Sequence, residues 1–349
     1  MKKIVLTGGG TGGHVIPHLG LLRFLKDYEI YYIGTCGIEK SIIEKIPSIK
    51  FIEIEAVKLD RTKKLKNLLL PFKLIKSISY CKKILKQIKP DVIFSKGGFV
   101  SVPVVIAGKK CKVPVISHES DLSMGLANKI IYRYCNCMCT SFEQTAKGLK
   151  KAVFTGPPIR QELFEGNRQI GYDKTKLNPK LETILFMGGS TGALKLNKII
   201  YESLPLLTQK YNVIHIVGKN KGDKNITFKN YCQLEYIDNI QDIFAISDYV
   251  VSRAGSNAIF EITALKKPIL LIPLPKGASR GDQVENAKLF ESLGYAKVCS
   301  QEGLTKESLI ENIDTLIKDK QVLISSLNKA NFANGCQNIF EQIRKWTLK

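Results

Sequence analysis

Acidic residues are scarce in this sequence. Its 349 residues hold 53 lysines and arginines against 31 aspartates and glutamates, a formal net charge of +22. Long hydrophobic runs are missing as well. Nothing reaches the roughly 20 apolar residues that cross a bilayer, and the first apolar run, Ile4-Val5-Leu6, is too short for a signal peptide. No Gly-Lys-Ser or Gly-Lys-Thr occurs, which excludes the common phosphate loop of nucleotide hydrolases. The nine cysteines are an odd count scattered over a long chain, so free thiols in a reducing compartment are expected. Cys135, Cys137 and Cys139 alternate along what reads as a strand. With no second cluster or histidine near them they read as small buried hydrophobes, not metal ligands.

The positive charge is unevenly spread. Residues 58–89 carry eleven basic side chains against one acid, Asp60. Leucines and isoleucines are interleaved with them, and few aromatics are present to stack on bases. Leu74, Ile78, Cys81, Leu85 and Ile88 follow a helical spacing and are expected to face a core. The run Leu68-Leu69-Leu70-Pro71-Phe72 is harder to bury. Two readings stay open: a basic amphipathic contact with an anionic membrane surface, including Lys63, Lys64 and Lys66, or a solvated lysine face on a core helix. Nucleic acid is disfavoured as a partner because no recognised binding motif accompanies the charge.

What the sequence does contain is one device in two copies. Ile4 to Thr7 lead into Gly8-Gly9-Gly10-Thr11-Gly12-Gly13-His14, and Ile184 to Met187 lead into Gly188-Gly189-Ser190-Thr191-Gly192-Ala193. Each reads as a buried strand, a glycine turn with a hydroxyl, then a helix start, which is a way to offer backbone N–H groups to a phosphate. Candidate strands lie at 3–7, 29–33, 51–55, 91–95, 114–117, 137–141 and 152–154, then at 183–187, 212–217, 232–237, 248–252, 268–272 and 296–299. Their alternation with helical stretches predicts an α/β protein of two Rossmann-like, doubly wound parallel-sheet domains with a cleft between them. The first is expected over 1–160, ending at the stiff Thr155-Gly156-Pro157-Pro158, and the second over 161–349.

The first loop formally satisfies Gly-x-Gly-x-x-Gly, but a dinucleotide site also needs an acid at the end of the second strand. Here that strand ends Tyr31-Tyr32-Ile33-Gly34-Thr35. More specific are eight ordered segments: GGTGGHVIP at 9–17, SKGGFVSVP at 95–103, HESD at 118–121, GPPIR at 156–160, GGSTGALKLN at 188–197, EYIDNI at 235–240, SRAGSNAIFE at 252–261 and SRGDQVENA at 279–287. In order and spacing the chain resembles, over essentially its whole length, the MurG family of peptidoglycan N-acetylglucosaminyltransferases. That resemblance implies the GT-B architecture and inverting transfer of N-acetylglucosamine from UDP-N-acetylglucosamine to the C4 hydroxyl of lipid-linked muramoyl-pentapeptide. It further implies an acceptor- and membrane-binding first domain, a nucleotide-sugar-binding second domain, and a final helix (about 325–349) packing back on the first.

The resemblance also assigns residues. Thr11, Gly12 and Gly13 line the site beside sugar and phosphates, and Arg160 and Ser190 contact the diphosphate. Ile237 offers its backbone to the uracil. Ser256, Asn257, Ala258, Ile259 and Phe260 continue the nucleotide wall, Glu261 holds the ribose hydroxyls and Gln283 the transferred sugar. His14 and Glu119 are the two candidates for the base that deprotonates the acceptor, and His118-Glu119 is expected at the cleft mouth. Asp121 stands where some members have asparagine, so its donor contact is in doubt; Asp282 stands where some have a second glutamine. No two aspartates stand two apart, so no Asp-x-Asp metal clamp is present, and neither metal nor cofactor is expected. The leaving diphosphate would then be met by backbone N–H groups, hydroxyls and a guanidinium. His18 and His215 read as packed structural residues. A peripheral location at the cytoplasmic membrane face follows, and association with other cell-wall synthesis proteins is left open. Two alternatives remain: a related lipid-directed UDP-sugar transferase, such as one acting on diacylglycerol, and a non-catalytic nucleotide-sugar binder at the membrane.

Overall fold

The computed structural model describes residues 1–57, 70–188, 193–235, 237, 239–276, 280–330, 332 and 334–348. The chain divides into two compact units, Met1–Arg160 with Ala333–Lys349, and Gln161–Phe332. Strands of the first unit are β1 (Lys2–Thr7), β2 (Tyr28–Gly34), β3 (Ile49–Glu53), β4 (Val92–Ser95), β5 (Val115–Glu119), β6 (Cys137–Thr140) and β7 (Ala152–Phe154). Its helices are α1 (Ile16–Leu19), α2 (Ile38–Ile43), α3 (Leu70–Ile88), α4 (Ser101–Lys110), α5 (Leu126–Tyr134) and α6 (Glu143–Ala146). The second unit contains α7 (Arg168–Thr175), β8 (Thr183–Met187), α8 (Leu194–Leu207), β9 (Asn212–Ile216), β10 (Tyr231–Leu234) and α9 (Ile240–Ile246). It continues with β11 (Tyr249–Ser252), α10 (Ser256–Ala264), β12 (Ile269–Leu271), α11 (Asp282–Ser292), β13 (Lys297–Val298), α12 (Lys306–Lys318) and α13 (Lys320–Lys329). The last helix, α14 (Gly335–Thr347), belongs to the first unit.

Both sheets are parallel and doubly wound. The strand orders are β3-β2-β1-β4-β5-β6-β7 and β10-β9-β8-β11-β12-β13. The reason lies in the central strands. Ile4, Val5 and Leu6 have no exposed surface, because β1 pairs with β2 on one side and β4 on the other and helices cover both faces. Side chains alternate across the pleat. Ile4, Leu6, Val92 and Phe94 pack toward Ile339 and Ile343 of α14, while Val5 and Ile93 pack toward α3, α4 and α5. In the second unit Ile184 and Phe186 likewise face α8 and α12.

Helix α3 buries Ile78, Cys81, Leu85 and Ile88, and Leu74 packs at the margin of the same cluster. It begins at Leu70, with Pro71 in the first turn, where a missing N–H breaks no helical bond. Phe72 (73% exposed) and Ile75 (64%) point away from the core beside exposed Lys73 and Lys76. Lys63, Lys64 and Lys66 lie outside the described residues. All nine cysteines are free, and Cys137 and Cys139 lie in the core of the first unit.

Helix α14 docks through Cys336, Ile339 and Ile343, three to four residues apart on one face. Its start is held by Asn338 Nδ2 donating to Thr155 O (2.9 Å) and the Cys336 thiol donating to Ile159 O (3.2 Å). A Cβ on Gly335 would lie 1.8 Å from Pro157 O, so only glycine lets the helix approach. Gly335→Ala is therefore expected to destabilise the protein by about 1–3 kcal/mol through overpacking, read as a lower denaturation midpoint. An unchanged midpoint would mean that the helix start can shift without cost.

Candidate functional site

Where the strand order of a doubly wound sheet reverses, loops at the carboxyl ends diverge and leave a crevice. In the first unit that point lies beyond β1 and β4, and in the second beyond β8 and β11. The segments singled out from sequence fall on these edges. Gly8 to His14 follow β1, Lys96 to Phe99 follow β4, Gly188 follows β8, and Arg253 to Ser256 follow β11.

The loop after β1 differs from the expected helix start. Gly12–His14 form a single 3-10 turn, and the following α1 has only four residues. Pro17 at its start and Gly20 at its end confine it. A dipole from so short an element is small, so the surroundings of His14 must come from side chains and neighbouring loops instead. Nδ1 of half-buried His14 pairs with the Thr11 hydroxyl at 3.0 Å. Gly98 (φ +80°) passes so close that a Cβ there would lie 2.6 Å from Gly9 O and 3.2 Å from His14 Nδ1. Beneath the loop lies Glu39, fully buried at the start of α2, which the sequence reading did not single out. Its Oε2 accepts from Gly10 N (3.2 Å) and its Oε1 from Thr35 N (3.0 Å), with the Thr35 hydroxyl also donating. The acid missing from the end of β2 is thus present a few residues later. It is turned inward as a clamp on the glycine loop.

His118 and Glu119 belong to the strand itself and not to the loop after it. Both are the last residues of β5 and are buried, at 0% and 4% exposure. The strand runs past residue 117 because its ladder with β6 continues to Glu119. Glu119 accepts from Asp121 N (2.9 Å), Gly125 N (3.1 Å) and Asn128 Nδ2 (2.9 Å), which folds the loop 120–125 around it. Burial, then the charge of Asp121, raises its affinity for a proton. His118 Nδ1 lies 2.7 Å from Nζ of buried Lys96. Burial and that neighbouring ammonium hold His118 well below the usual imidazole range. Asp121 is half-buried in the loop that Glu119 organises. Arg160, also half-buried, ends the chain segment that passes Gly20, whose Cβ would lie 3.5 Å from the Arg160 Cα.

In the second unit, Ser190 lies outside the described residues, whereas the helix its loop leads into, α8, begins at Leu194. Helix α10 starts at Ser256 after Gly255, and its nine residues bring Ser256 to Glu261 together at one end. Ile259 and Phe260 are buried, and Phe260 packs edge-on against Phe290 (5.2 Å) and Phe332 (5.4 Å). Their side chains serve the core, so a ligand there would meet their backbone and the side chains of Asn257 and Glu261, both half-buried. Ile237 is half-buried in the loop after β10. Gln283, in the first turn of α11, accepts from Leu274 N at 3.0 Å and so ties its helix to the loop after β12. Sequence reasoning missed Arg253, which donates to Ile272 O (2.9 Å) and Gln301, and Asn286, which donates to Ala254 O (3.3 Å). Both lie within the quoted segments, and for Arg253 a cation directly after an apolar strand was the available signal.

The chain matches two family models, the glycosyltransferase family 28 N-terminal domain over residues 4–140 and C-terminal domain over 183–343. It is 47% identical over 354 residues to a Clostridium botulinum protein named UDP-N-acetylglucosamine–N-acetylmuramyl-(pentapeptide) pyrophosphoryl-undecaprenol N-acetylglucosamine transferase, covering 99% of this chain and 100% of that one. A Clostridium tetani protein of the same name is 47% identical over 356 residues, covering 100% and 99%. Among solved structures, Acinetobacter baumannii MurG has the same fold with a TM-score of 0.74 and 24% identity, covering 99% of this chain and 100% of that one. Staphylococcus aureus MnaA, solved with UDP, aligns at a TM-score of 0.69 with 15% identity, covering 99% and 97%.

Buried histidines set an acid limit. Burial lowers His18 and His215 to about 3, and His118 shifts the same way. Above 6.5 all three are neutral folded or unfolded. As the pH falls from there toward about 3 the unfolded chain takes up protons that the folded chain refuses, so stability drops. Each histidine contributes up to about 1.4 kcal/mol per pH unit in that window. Glu119, shifted upward, offsets part of this. A lower urea midpoint at pH about 5 than at about 7 is expected; equal midpoints would contradict it.

Proposed function

The chain belongs to the MurG family of glycosyltransferases, and on that premise we infer that it transfers N-acetylglucosamine from UDP-N-acetylglucosamine to the C4 hydroxyl of undecaprenyl-diphospho-N-acetylmuramoyl-pentapeptide. The product is the lipid-linked disaccharide of peptidoglycan synthesis. The observation that carries this reading is 47% identity along the full chain, with both family models lying over the two switch-point loops. Two doubly wound domains are the GT-B arrangement expected for such a transfer.

In this reading the second unit holds the nucleotide sugar. The start of α10 offers backbone N–H groups to negative charge, and Glu261 follows for the ribose hydroxyls. Arg160 and the Ser190 hydroxyl are assigned to the diphosphate, Ile237 to the uracil and Gln283 to the sugar. The first unit takes the acceptor, and its Thr11, Gly12 and Gly13 are assigned to the sugar and phosphates of the donor. One in-line displacement breaks the bond from the anomeric carbon to the diphosphate oxygen, forms the bond to the acceptor oxygen, and inverts the anomeric centre. UDP leaves with the electron pair.

Of the two candidate bases, the local geometry favours His14. Both oxygens of Glu119 accept bonds from its own loop, whereas His14 lies on the glycine loop with Nδ1 occupied by Thr11. Nε2 takes the acceptor's proton in the tautomer whose Nδ1–H donates to the Thr11 hydroxyl. His14→Ala is expected to lower turnover by about a hundredfold or more while UDP affinity, measured by calorimetry, stays roughly unchanged. Near-wild-type turnover would remove His14 from the role. Arg160→Ala is expected to weaken UDP binding by roughly tenfold, and unaltered affinity would remove the guanidinium from the diphosphate.

The membrane contact is assigned to the start of α3, where exposed Phe72 and Ile75 alternate with Lys73 and Lys76. Among the described residues no helix is long and apolar enough to cross a membrane. A peripheral position on the cytoplasmic face, where nucleotide sugars are made, is consistent with such a patch. Replacing Phe72 and Ile75 by serine is expected to reduce co-sedimentation with phosphatidylglycerol vesicles; unchanged sedimentation would free α3 from this role.

A further inference from the structure

Lys96 has a position that the transfer reading does not explain. It follows β4, its backbone N–H bonds to Thr7 O at 2.9 Å, and its side chain is 1% exposed. Taking an ammonium out of water is costly even after relaxation, and an apolar side chain would fill the same space without that cost. Its two hydrogen-bond acceptors are uncharged: His118 Nδ1 at 2.7 Å and the Ser120 hydroxyl. The titratable groups facing it are Glu119, Asp121, Cys139, Cys336, His18 and His118.

This arrangement determines a tautomer. An ammonium can only donate, so His118 Nδ1 must accept and the imidazole proton must sit on Nε2. That nitrogen is 3.5 Å from both Gly156 O and Ser141 Oγ. One buried cation thus links the end of β4, beside the glycine loops, to the 120–125 loop and to the carbonyl that precedes Pro157.

We propose that Lys96 is a positioning residue for transfer: from a place no substrate reaches, its ammonium fixes His118 and Ser120 and so holds the Asp121-bearing loop in register with the glycine loop that carries His14. The proposal rests on the transferase reading. It treats the buried charge as serving acceptor turnover, because Lys96 and its partners all belong to the first unit. Burial lowers Lys96 to about 8, so the charged form is present below that pH and lost above it.

The test uses the full-length protein, the purified lipid-linked muramoyl acceptor, and the variants Lys96→Met and Ser120→Ala. Lys96→Met is expected to lower kcat/KM for the acceptor by about tenfold to a hundredfold, as small misplacements do, with UDP affinity unchanged by calorimetry. Unaltered protein should lose acceptor kcat/KM as the pH rises through about 8, and Lys96→Met should lack that limb. Ser120→Ala, which keeps the charge, should keep the limb and lose a smaller factor. The inference is overturned if Lys96→Met retains wild-type kcat/KM and the same alkaline limb. It is equally overturned if activity, UDP affinity and thermal midpoint fall together, since the lysine would then serve the fold alone. Should Lys96→Met fail to fold, an unchanged acceptor kcat/KM in Ser120→Ala overturns it. Absence of transfer by the unaltered protein would sink the activity and this inference with it, whereas transfer with an indifferent Lys96→Met sinks only the inference.

Discussion

Everything chemical in this protein hangs from two central strands that are buried on both faces. β1 and β8 are paired on either side, and the core residues Ile4 to Leu6 and Ile184 to Phe186 are fully enclosed. Such strands cannot move without unpairing two ladders and opening two apolar layers. The backbone leaving their carboxyl ends therefore starts from a fixed point. A turn built mainly of glycine can then be held to a definite shape by very few further contacts, as Glu39 does for the first loop.

Several strands were legible because parallel strands covered twice are short, nearly continuous apolar runs, and each of the thirteen candidate segments overlaps a strand among the described residues. Boundaries were less so: β5 runs on through His118 and Glu119, since the ladder with β6 outweighs their polarity. Helix starts were harder still. Gly12–His14 carry the pattern of a nucleotide-loop helix, yet a 3-10 turn and a four-residue helix result, with Pro17 and Gly20 close by. Glu39 and Lys96 were illegible as site-supporting groups. A polar residue near a strand end is ordinary in sequence, and only tertiary packing brings Glu39 under Gly10.

Electrostatically, the first unit places charged groups inside and lets neutral partners hold them. Glu119 is met by two backbone N–H groups and an amide, Glu39 by backbone N–H groups and a hydroxyl. Fixed dipoles of this kind need no rearrangement when charge develops nearby. They also tie loops to strands at little cost in bulk.

The docking of α14 has a consequence for synthesis. The face of β1 and β4 bearing Ile4, Leu6, Val92 and Phe94 is covered by Ile339 and Ile343, the best part of the chain's length later. On the ribosome the strands of this sheet emerge long before α14 and stay partly uncovered on that side until residues 335–347 have been made. The half that begins folding earliest is the half that finishes last, and a nascent chain stalled before residue 335 carries an open apolar face for chaperones to guard.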